Sequence, residues 1–257
     1  MNYKMILQYE GTRYNGWQRQ GNTAQTIQGK LETLLSRLTG EEVEVQGSGR
    51  TDAGVHAKGQ TANFHLKSVW EPGKLMEEMN RYLPADIGVL ELEQAPERFH
   101  SRLNAAGKLY RYQIWMEGKA DVFSHRYFYS LGKKLDCKAM EEAAKLLIGE
   151  RDFKSFCGNG NMKKSTVRQL RQIELRPTWK GKALEIDFEG NGFLQQMVRI
   201  LTGTLIEVGL GQRNAGQMTE ILEAKNRQAA GFTAPAQGLC LMQVMYNKDG
   251  RPEGMPR

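Results

Sequence analysis

The sequence predicts an α+β protein of two ferredoxin-like halves, each with the element order βαββαβ. Short stretches alternate apolar and polar residues with a period of two, as half-buried strands do. Longer stretches place apolar residues at helical spacing. The same order of elements occurs twice, and the two runs meet near residue 105. We therefore expect two adjoining, mainly antiparallel sheets around a central cleft.

The first half, residues 1–105, shows this order most directly. Thr23 or Thr26 can cap the first helix. Pro72 suits the first turn of the second helix, and Pro84 ends it. The predicted elements are a strand at 3–9, a helix over 27–38, strands at 42–46 and 61–66, a helix over 72–83 and a strand at 87–92.

The second half, residues 106–247, repeats the order with one added helix. Asp136 is a candidate cap for its first helix, which ends near Gly149. The other predicted elements are strands at 109–116, 167–175, 182–188 and 239–246, a long helix over 197–208 and a short one over 214–224. Residues 248–257 contain Gly and Pro and are expected to form a mobile tail.

Composition favours a polyanionic partner. The chain has 257 residues, with 36 Lys and Arg against 29 Asp and Glu, a formal charge of +7 and a pI of about 9.2. Such an excess indicates nucleic acid first and an anionic membrane second. No run of 18 apolar residues occurs, and the N-terminal apolar run is too short for a signal peptide. The expected location is the cytoplasm, with no membrane contact.

The spacing of cysteines and histidines predicts no metal site. Cys137, Cys157 and Cys240 are an odd number and lie far apart, so a disulfide framework is not expected. No CxxC pair or similar ligand spacing occurs among them and the four histidines. Buried or surface thiols are the simpler interpretation.

The glycine-rich stretch from Gly47 to His65 is the main candidate for a functional loop. It carries Arg50 and Asp52 between two predicted strands, where a hairpin would need only a few residues. A cation two residues away can hold or orient the Asp52 carboxylate in its charged form, which suits a nucleophile or an electrostatic stabiliser. A plain turn with a solvated carboxylate fits the spacing equally well.

Two basic stretches are candidates for phosphate contacts. In Gly11–Gly21, cations alternate with Tyr14 and Trp17, which suits phosphates and unstacked bases but also a loop packed on its own rings. Gly158–Arg171 is basic and polar, and a solvated loop is its simpler interpretation. The candidate phosphate contacts are Arg13, Arg19, Lys163, Lys164 and Arg168.

The segment GRTDAGVHA, residues 49–57, resembles the signature of the tRNA pseudouridine synthase A (TruA) family. Glu10, Ser101 and Lys108 replace the usual Asp, Ala and Arg in neighbouring segments, and these conservative changes bear only on fine substrate choice. Six segments resemble the family in order along the chain: Tyr9–Gln20, the signature, Phe99–Tyr112, Asp152–Phe156, Gly192–Leu194 with Met197–Arg199, and Ala234–Leu239.

This resemblance implies a pseudouridine synthase fold and isomerisation of uridine to pseudouridine at positions 38, 39 and 40 of the tRNA anticodon stem-loop. It implies a homodimer that binds tRNA and needs no cofactor or metal. Asp52 would be the catalytic acid and Arg50 its orienting partner. Arg199 would be a second active-site cation, within reach of Asp52 across the cleft. Tyr110 would pack on the target uracil and assist proton removal from C5, and Leu239 would line the base pocket.

Two other functions stay open at this point. One is a paralogous synthase that modifies another RNA position. The other is a catalytically inactive RNA-binding protein, which retention of both Arg50 and Asp52 argues against. Without the resemblance, Tyr110 and Leu239 would be interpreted as core residues. The sequence also leaves open whether Asp52 attacks C6 of uracil, attacks C1′ of the sugar or acts through a glycal.

Overall fold

The computed structural model describes residues 1–247. They form two compact units, Met1–Ala106 with the described residues from Leu241 onward, and Gly107–Cys240. The fold mixes helices with mostly antiparallel strands. None of the helices in the described part of the chain combines the length and apolar character that a membrane span requires. The expected mobile tail, 248–257, lies outside the described residues.

The first unit has the element order βαββαβ. Its elements are β1 (Asn2–Tyr9), α1 (Ile27–Thr39), β2 (Val45–Gly47), β3 (His56–His65), α2 (Pro72–Tyr82) and β4 (Ile87–Ala95). The strand β1 lies between β4 and β3, antiparallel to both, and β2 pairs with the far end of β3. The strand β3 begins at His56 rather than at residue 61, because β1 pairs along it as far as Ala57.

The last strand among the described residues, Leu239–Tyr246, also pairs with β3. The pairing is close, since a Cβ on Gly59 would lie 2.5 Å from the Met242 carbonyl oxygen. The sequence grouped residues 241–247 with the second half, whereas in the structure these residues belong to the first unit. The physical reason is this strand pairing, which no pattern within 239–246 reveals.

Local capping explains where the helices of the first unit begin and end. Of the two candidate caps for α1, Thr26 is the one used, and its Oγ1 accepts a hydrogen bond from the Gly29 N–H at 3.2 Å. Gly40 ends α1 with a φ of +73°. Pro72 occupies the first turn of α2, as the sequence predicts, and the Glu71 carboxylate accepts from two N–H groups of that turn.

The remaining elements lie mostly in the second unit. They are β5 (Ala105–Trp115), β6 (Tyr129–Ser130), α3 (Cys137–Lys145), β7 (Gly149–Asp152), β8 (Val167–Thr178), β9 (Ala183–Gly190), α4 (Met197–Gly209), α5 (Gln217–Ala224) and β10 (Leu239–Tyr246). The first two residues of β5 and the residues of β10 from Leu241 onward belong to the first unit. The strands pair in the order β5-β9-β8-β7, and β6 pairs in parallel with β5. The sequence missed β6 and β7, which are too short to show a period.

The helix α4 is the most deeply buried helix of this unit. Most of its residues are buried, so its sequence is apolar on nearly every side. Gly203 allows the segment after α5 to approach, because a Cβ there would lie 1.9 Å from the Phe232 carbonyl oxygen. Gly209 likewise lets Met140 of α3 pack against it. Such close packing leaves α4 little freedom to move within the unit.

Candidate active site

The loop between β2 and β3 carries the predicted catalytic carboxylate. Asp52 is partly buried there, and Arg50 is exposed. Thr51, between the two, is only 7% exposed. The Asp52 carbonyl oxygen accepts a hydrogen bond from the Val55 N–H at 3.1 Å, and Gly54 has a φ of +80°. Since that φ favours glycine, the sequence after Asp52 is suited to this turn.

Buried side chains from β1 and β3 hold this loop. The hydroxyl groups of Tyr9 and Thr51 lie 2.9 Å apart and share a hydrogen bond. Gln60 accepts from the Ser48 hydroxyl at 2.6 Å and donates to the Gly49 carbonyl oxygen at 3.0 Å. Four of these five residues lie within the candidate stretch Gly47–His65, but no local pattern in the sequence indicates their bonds. Together their bonds fix the chain on both sides of Arg50.

The Gly11–Gly21 segment packs on the same loop. Trp17 and Tyr14 are 2% and 4% exposed. The main-chain N–H of Trp17 donates to the Thr51 carbonyl oxygen at 3.0 Å, and the Tyr14 carbonyl oxygen accepts from the Gly54 N–H at 3.3 Å. Of the two interpretations left open for these rings, packing within the protein is therefore the one observed. They support the Asp52 loop from its other side.

Arg13 and Arg19 each form an ion pair, and both side chains remain 68% exposed. Arg13 binds Asp86 through Nε at 2.9 Å and Nη2 at 2.5 Å. The Arg19 Nη1 lies 3.2 Å from a carboxylate oxygen of Glu32. The arginines are thus accessible to a phosphate, although each already has a carboxylate partner.

A cavity of about 320 Å³ lies beside the Arg13 ion pair and is lined by Arg13, Tyr14, Gln25, Lys30 and Pro84. Lys30 adds a cation that the sequence analysis did not identify. Burial raises the pKa of Asp86, but hydrogen bonds from Tyr14 and Arg13 outweigh burial and hold this pKa below its ordinary value. Asp86 is therefore a charged acceptor at neutral pH. Burial, together with the hydrogen bond to Asp86, raises the pKa of Tyr14.

In the second unit, Tyr110 lies on β5 opposite Phe188 of β9 and is 7% exposed. Phe193, from the loop before α4, contacts its ring edge-on, with centroids 5.1 Å apart and an interplanar angle of 81°. Such an edge-to-face contact fixes the orientation of the phenol ring. Phe193 belongs to the Gly192–Leu194 segment, and its contact with Tyr110 could not be predicted from the sequence.

Arg199 and Leu239 are connected through the segment 234–239. The Arg199 Nε donates to the Ala234 carbonyl oxygen at 2.7 Å, and the Ala234 N–H donates back to the Arg199 carbonyl oxygen at 3.1 Å. The Tyr112 hydroxyl, on β5, donates to the Pro235 carbonyl oxygen at 2.7 Å. Leu239 ends this segment and is 6% exposed. One segment is thus bonded to both α4 and β5, the elements that carry Arg199 and Tyr110.

The loop before β8 and the start of that strand carry the other predicted phosphate contacts. Lys163 and Lys164 are exposed, whereas Arg168 is partly buried. The Arg168 Nη1 donates to the carbonyl oxygens of Ser165 and Val167, at 3.0 and 2.6 Å. Burial lowers the pKa of Arg168. The two lysines are therefore better placed for a phosphate than Arg168, which is engaged with its own loop.

The Asp152–Phe156 motif is part of the core. Phe153 and Phe156 are fully buried, and the Ser155 hydroxyl donates to a carbonyl oxygen of α5 at 2.6 Å. The Asp152 carboxylate accepts from the Thr166 hydroxyl at 2.5 Å. These contacts join β7 and the loop before β8 to α5. The motif therefore contributes packing and loop anchoring.

The potential metal ligands among residues 1–247 are scattered. Cys137, Cys157 and Cys240 are free thiols. Within residues 1–247, no three His, Cys, Asp or Glu side chains are grouped so that they could hold a metal ion. His56, at the start of β3, instead accepts a hydrogen bond from the Gly11 N–H through Nδ1 at 3.0 Å.

Comparison with known proteins identifies the family. The family model described as tRNA pseudouridine synthase matches residues 5–104 and 143–247, well over half of the chain. The first stretch contains Asp52 and the second contains Arg199 and Leu239. Tyr110 falls between the two matched stretches.

Full-length relatives give the same result. The chain is 46% identical to a tRNA pseudouridine synthase A from Bacillus sp. (strain KSM-64) and 44% identical to tRNA pseudouridine synthase A 2 from Bacillus anthracis. Each alignment covers 95% of this chain and 99% of the relative. The tRNA pseudouridine synthase A 2 of Clostridium tetani is 43% identical to this chain, over 96% of this chain and 99% of its own length. The chain therefore belongs to the tRNA pseudouridine synthase family.

Proposed function

We propose that this protein isomerises uridine to pseudouridine at positions 38, 39 and 40 of the tRNA anticodon stem-loop, with Asp52 as the catalytic acid or nucleophile. One observation carries the choice of Asp52. Asp52 is partly buried on a turn, and the residues before it are held by hydrogen bonds to the Gly49 and Thr51 carbonyl oxygens and to the Thr51 hydroxyl. Fixed geometry of this kind is what a group that must meet one atom of a substrate requires.

The reaction conserves every atom of the nucleotide. The N-glycosidic bond between N1 and C1′ breaks, the uracil turns while held, and C5 bonds to C1′. C5 then loses its proton and N1 gains one, so the composition is unchanged. Asp52 acts as the charged group at this centre, and Arg50 and Arg199 supply positive charge to it. The bond from the Arg199 Nε to the Ala234 carbonyl oxygen supports this role, because it fixes the direction of the guanidinium.

Tyr110 and Leu239 contact the uracil in this proposal. Tyr110 packs on the base and assists removal of the C5 proton, and Leu239 forms an apolar wall of the base pocket. Support comes from the edge-on contact between Phe193 and the Tyr110 ring, which fixes the ring plane. It also comes from the attachment of the segment before Leu239 to Arg199 and Tyr112.

The target base must leave the stem to be modified, at a cost of a few kcal/mol. Contacts between cations and the tRNA phosphates offset that cost. Lys163 and Lys164 are exposed, and the paired arginines Arg13 and Arg19 remain largely accessible. Arg168 contributes less, because its guanidinium bonds its own loop. The net charge of +7 supports the same partner.

We infer that each half is ferredoxin-like, which in the first unit is supported by its βαββαβ order and by the neighbours β4-β1-β3 with β2 on β3. We also infer a cytoplasmic homodimer that binds tRNA. Sedimentation of the purified protein with and without tRNA measures the number of copies.

Asp52→Asn tests the proposed function. The variant should form pseudouridine about 10²- to 10⁴-fold more slowly, which is the usual cost of losing a reacting acid or base. It should still bind tRNA, because the phosphate contacts are unchanged. Asp121→Asn, the same substitution in a loop of the second unit, is the matched control. Wild-type turnover by Asp52→Asn would overturn the assignment of Asp52.

Mapping pseudouridine at nucleotide resolution tests the target. RNA from cells with and without the protein should differ only at positions 38, 39 and 40 of tRNA. Loss at another RNA position would instead establish a paralogous synthase. If wild-type protein binds tRNA but forms no pseudouridine, it is a binding protein without catalysis.

A further inference from the structure

We propose that Tyr9 and Gln60 are positioning residues that hold the loop of Asp52 in its reactive conformation. Neither residue is assigned a role by the family resemblance given above. The inference rests on the proposed function, because it takes Asp52 to be the reacting carboxylate. It adds the side chains through which the scaffold controls that group.

Tyr9 acts on the residue directly before Asp52. It ends β1, is 4% exposed, and its hydroxyl lies 2.9 Å from the Thr51 Oγ1. The Thr51 carbonyl oxygen in turn accepts a hydrogen bond from the main-chain N–H of Trp17 at 3.0 Å. Thr51 is therefore held through both its side chain and its main chain, which leaves Asp52 little freedom of position.

Gln60 acts on the other side of Arg50. It lies on β3, is fully buried, and uses both ends of its amide on the loop. Its Oε1 accepts from the Ser48 hydroxyl and its Nε2 donates to the Gly49 carbonyl oxygen. The same Nε2 lies 3.5 Å from the Tyr9 hydroxyl, at the limit of a hydrogen bond. The two anchors therefore adjoin each other.

The strands that carry these residues are already held by their main chains. Tyr9 pairs with Ala57, and Leu7 pairs with Gln60, in the β1–β3 ladder. The side-chain bonds of Tyr9 and Gln60 are directed at the loop and not at this ladder. Since misplacing a reacting group by about 1 Å can cost about 10²-fold in rate, losing such bonds should slow catalysis in addition to any loss of stability.

Three substitutions remove the anchors with little change of shape: Tyr9→Phe, Thr51→Val and Gln60→Leu. The rate of pseudouridine formation on a tRNA transcript at saturating enzyme should fall about 10- to 100-fold in each. The Kd for tRNA should stay within about twofold, because no phosphate contact is changed. Thr51→Ser keeps the hydroxyl and should restore most of the rate.

Tyr3→Phe is the matched control for Tyr9→Phe. Tyr3 lies on the same strand, is fully buried, and its hydroxyl donates to the Trp70 carbonyl oxygen at 3.0 Å, away from the Asp52 loop. Losing that hydroxyl should lower the unfolding temperature at least as much as Tyr9→Phe does. Its rate should nevertheless equal that of the wild type. This contrast separates positioning from a general loss of stability.

A double variant tests whether one bond is responsible. Tyr9→Phe and Thr51→Val remove the two ends of the same hydrogen bond, so together they should slow the reaction little more than either alone. Rates that multiply would show that the two hydroxyl groups act separately and would overturn the shared anchor. If Gln60→Leu gives little folded protein, the rate of Tyr9→Phe still tests the proposal. This variant removes only one oxygen atom, so we expect it to fold.

Asp52→Asn is measured in parallel to separate this inference from the proposed function. If Asp52→Asn is inactive while Tyr9→Phe, Thr51→Val and Gln60→Leu all react at the wild-type rate, the inference is wrong and the proposed function stands. If Asp52→Asn is fully active, the proposed function fails, and this inference fails with it. Slow anchor variants together with an inactive Asp52→Asn support both.

Discussion

Trp17 and Gly47 are in direct contact: a Cβ on Gly47 would lie 2.5 Å from two carbons of the Trp17 ring. Gly47 ends β2, directly before the loop of Asp52, and the Trp17 indole is almost fully buried. The Trp17 main chain also donates to the Thr51 carbonyl oxygen. One residue of the N-terminal loop therefore contacts the Asp52 loop both at its start and at the residue directly before Asp52.

Gly47→Ala should destabilise the first unit and slow catalysis. The added methyl group must displace the Trp17 ring, and overpacking of a buried site costs about 1–3 kcal/mol. Thermal unfolding and the rate of pseudouridine formation measure the two effects. Gly21→Ala is the control, because no heavy atom lies within 4 Å of its added Cβ. Equal unfolding temperatures for the two variants would contradict the close contact.

The sequence predicts the helices well because their signals are local. The ranges 27–38, 72–83 and 197–208 differ by one residue from α1, α2 and α4. Apolar spacing defines the buried face of each helix. The cap Thr26 defines where α1 begins, and Pro72 marks the first turn of α2. These features depend on residues only a few positions apart, so they can be interpreted without the fold.

Strand limits depend on partners far away in the chain and were predicted less well. The strand β3 extends to His56 through a stretch, HAKGQ, that does not alternate, because β1 supplies the pairing. The strand β2 is limited to Val45–Gly47, where β3 offers partners. The first residues of the expected strand at 42–46 are not part of the sheet.

In the candidate site, too, local features could be predicted from the sequence and contacts between distant residues could not. Glycines and charges within one short stretch identified the Asp52 loop, but its anchors come from tertiary contacts. Tyr9 lies 42 residues from Thr51. A usable signal existed at Gln60, which has the same strand parity as the buried Ala62 and Phe64 and is therefore a polar residue at a core-facing position.

Asp86→Asn should destabilise the protein at neutral pH and much less in acid. Asp86 accepts hydrogen bonds from Arg13 and Tyr14, which hold its pKa below the ordinary value. A lowered pKa in the folded state stabilises the fold above the unfolded pKa of about 3.9, and this contribution is lost as the pH falls through the folded pKa. The loss at pH 7 should be about 1.5–3 kcal/mol.

Urea unfolding from pH 7 to pH 3 measures this difference, which should shrink below about pH 4. Glu78→Gln is the control, since Glu78 pairs with Arg81 on the exposed surface of α2. An exposed pair contributes about 0–1 kcal/mol, so its substitution should have a small effect at every pH. A constant deficit of Asp86→Asn across the range would show that its charge is not the cause.

Replacing Lys163 and Lys164 together by Gln should weaken tRNA binding and reduce its dependence on salt. The binding constant K falls as salt rises, and each lost phosphate contact makes the plot of log K against log salt less steep by about 0.7–0.9. The rate at saturating tRNA should be unchanged, because neither lysine acts on the base. Lys138→Gln with Lys145→Gln, an equal loss of charge on α3, is the matched control. Identical salt slopes for the two double variants would reduce the role of Lys163 and Lys164 to net charge alone.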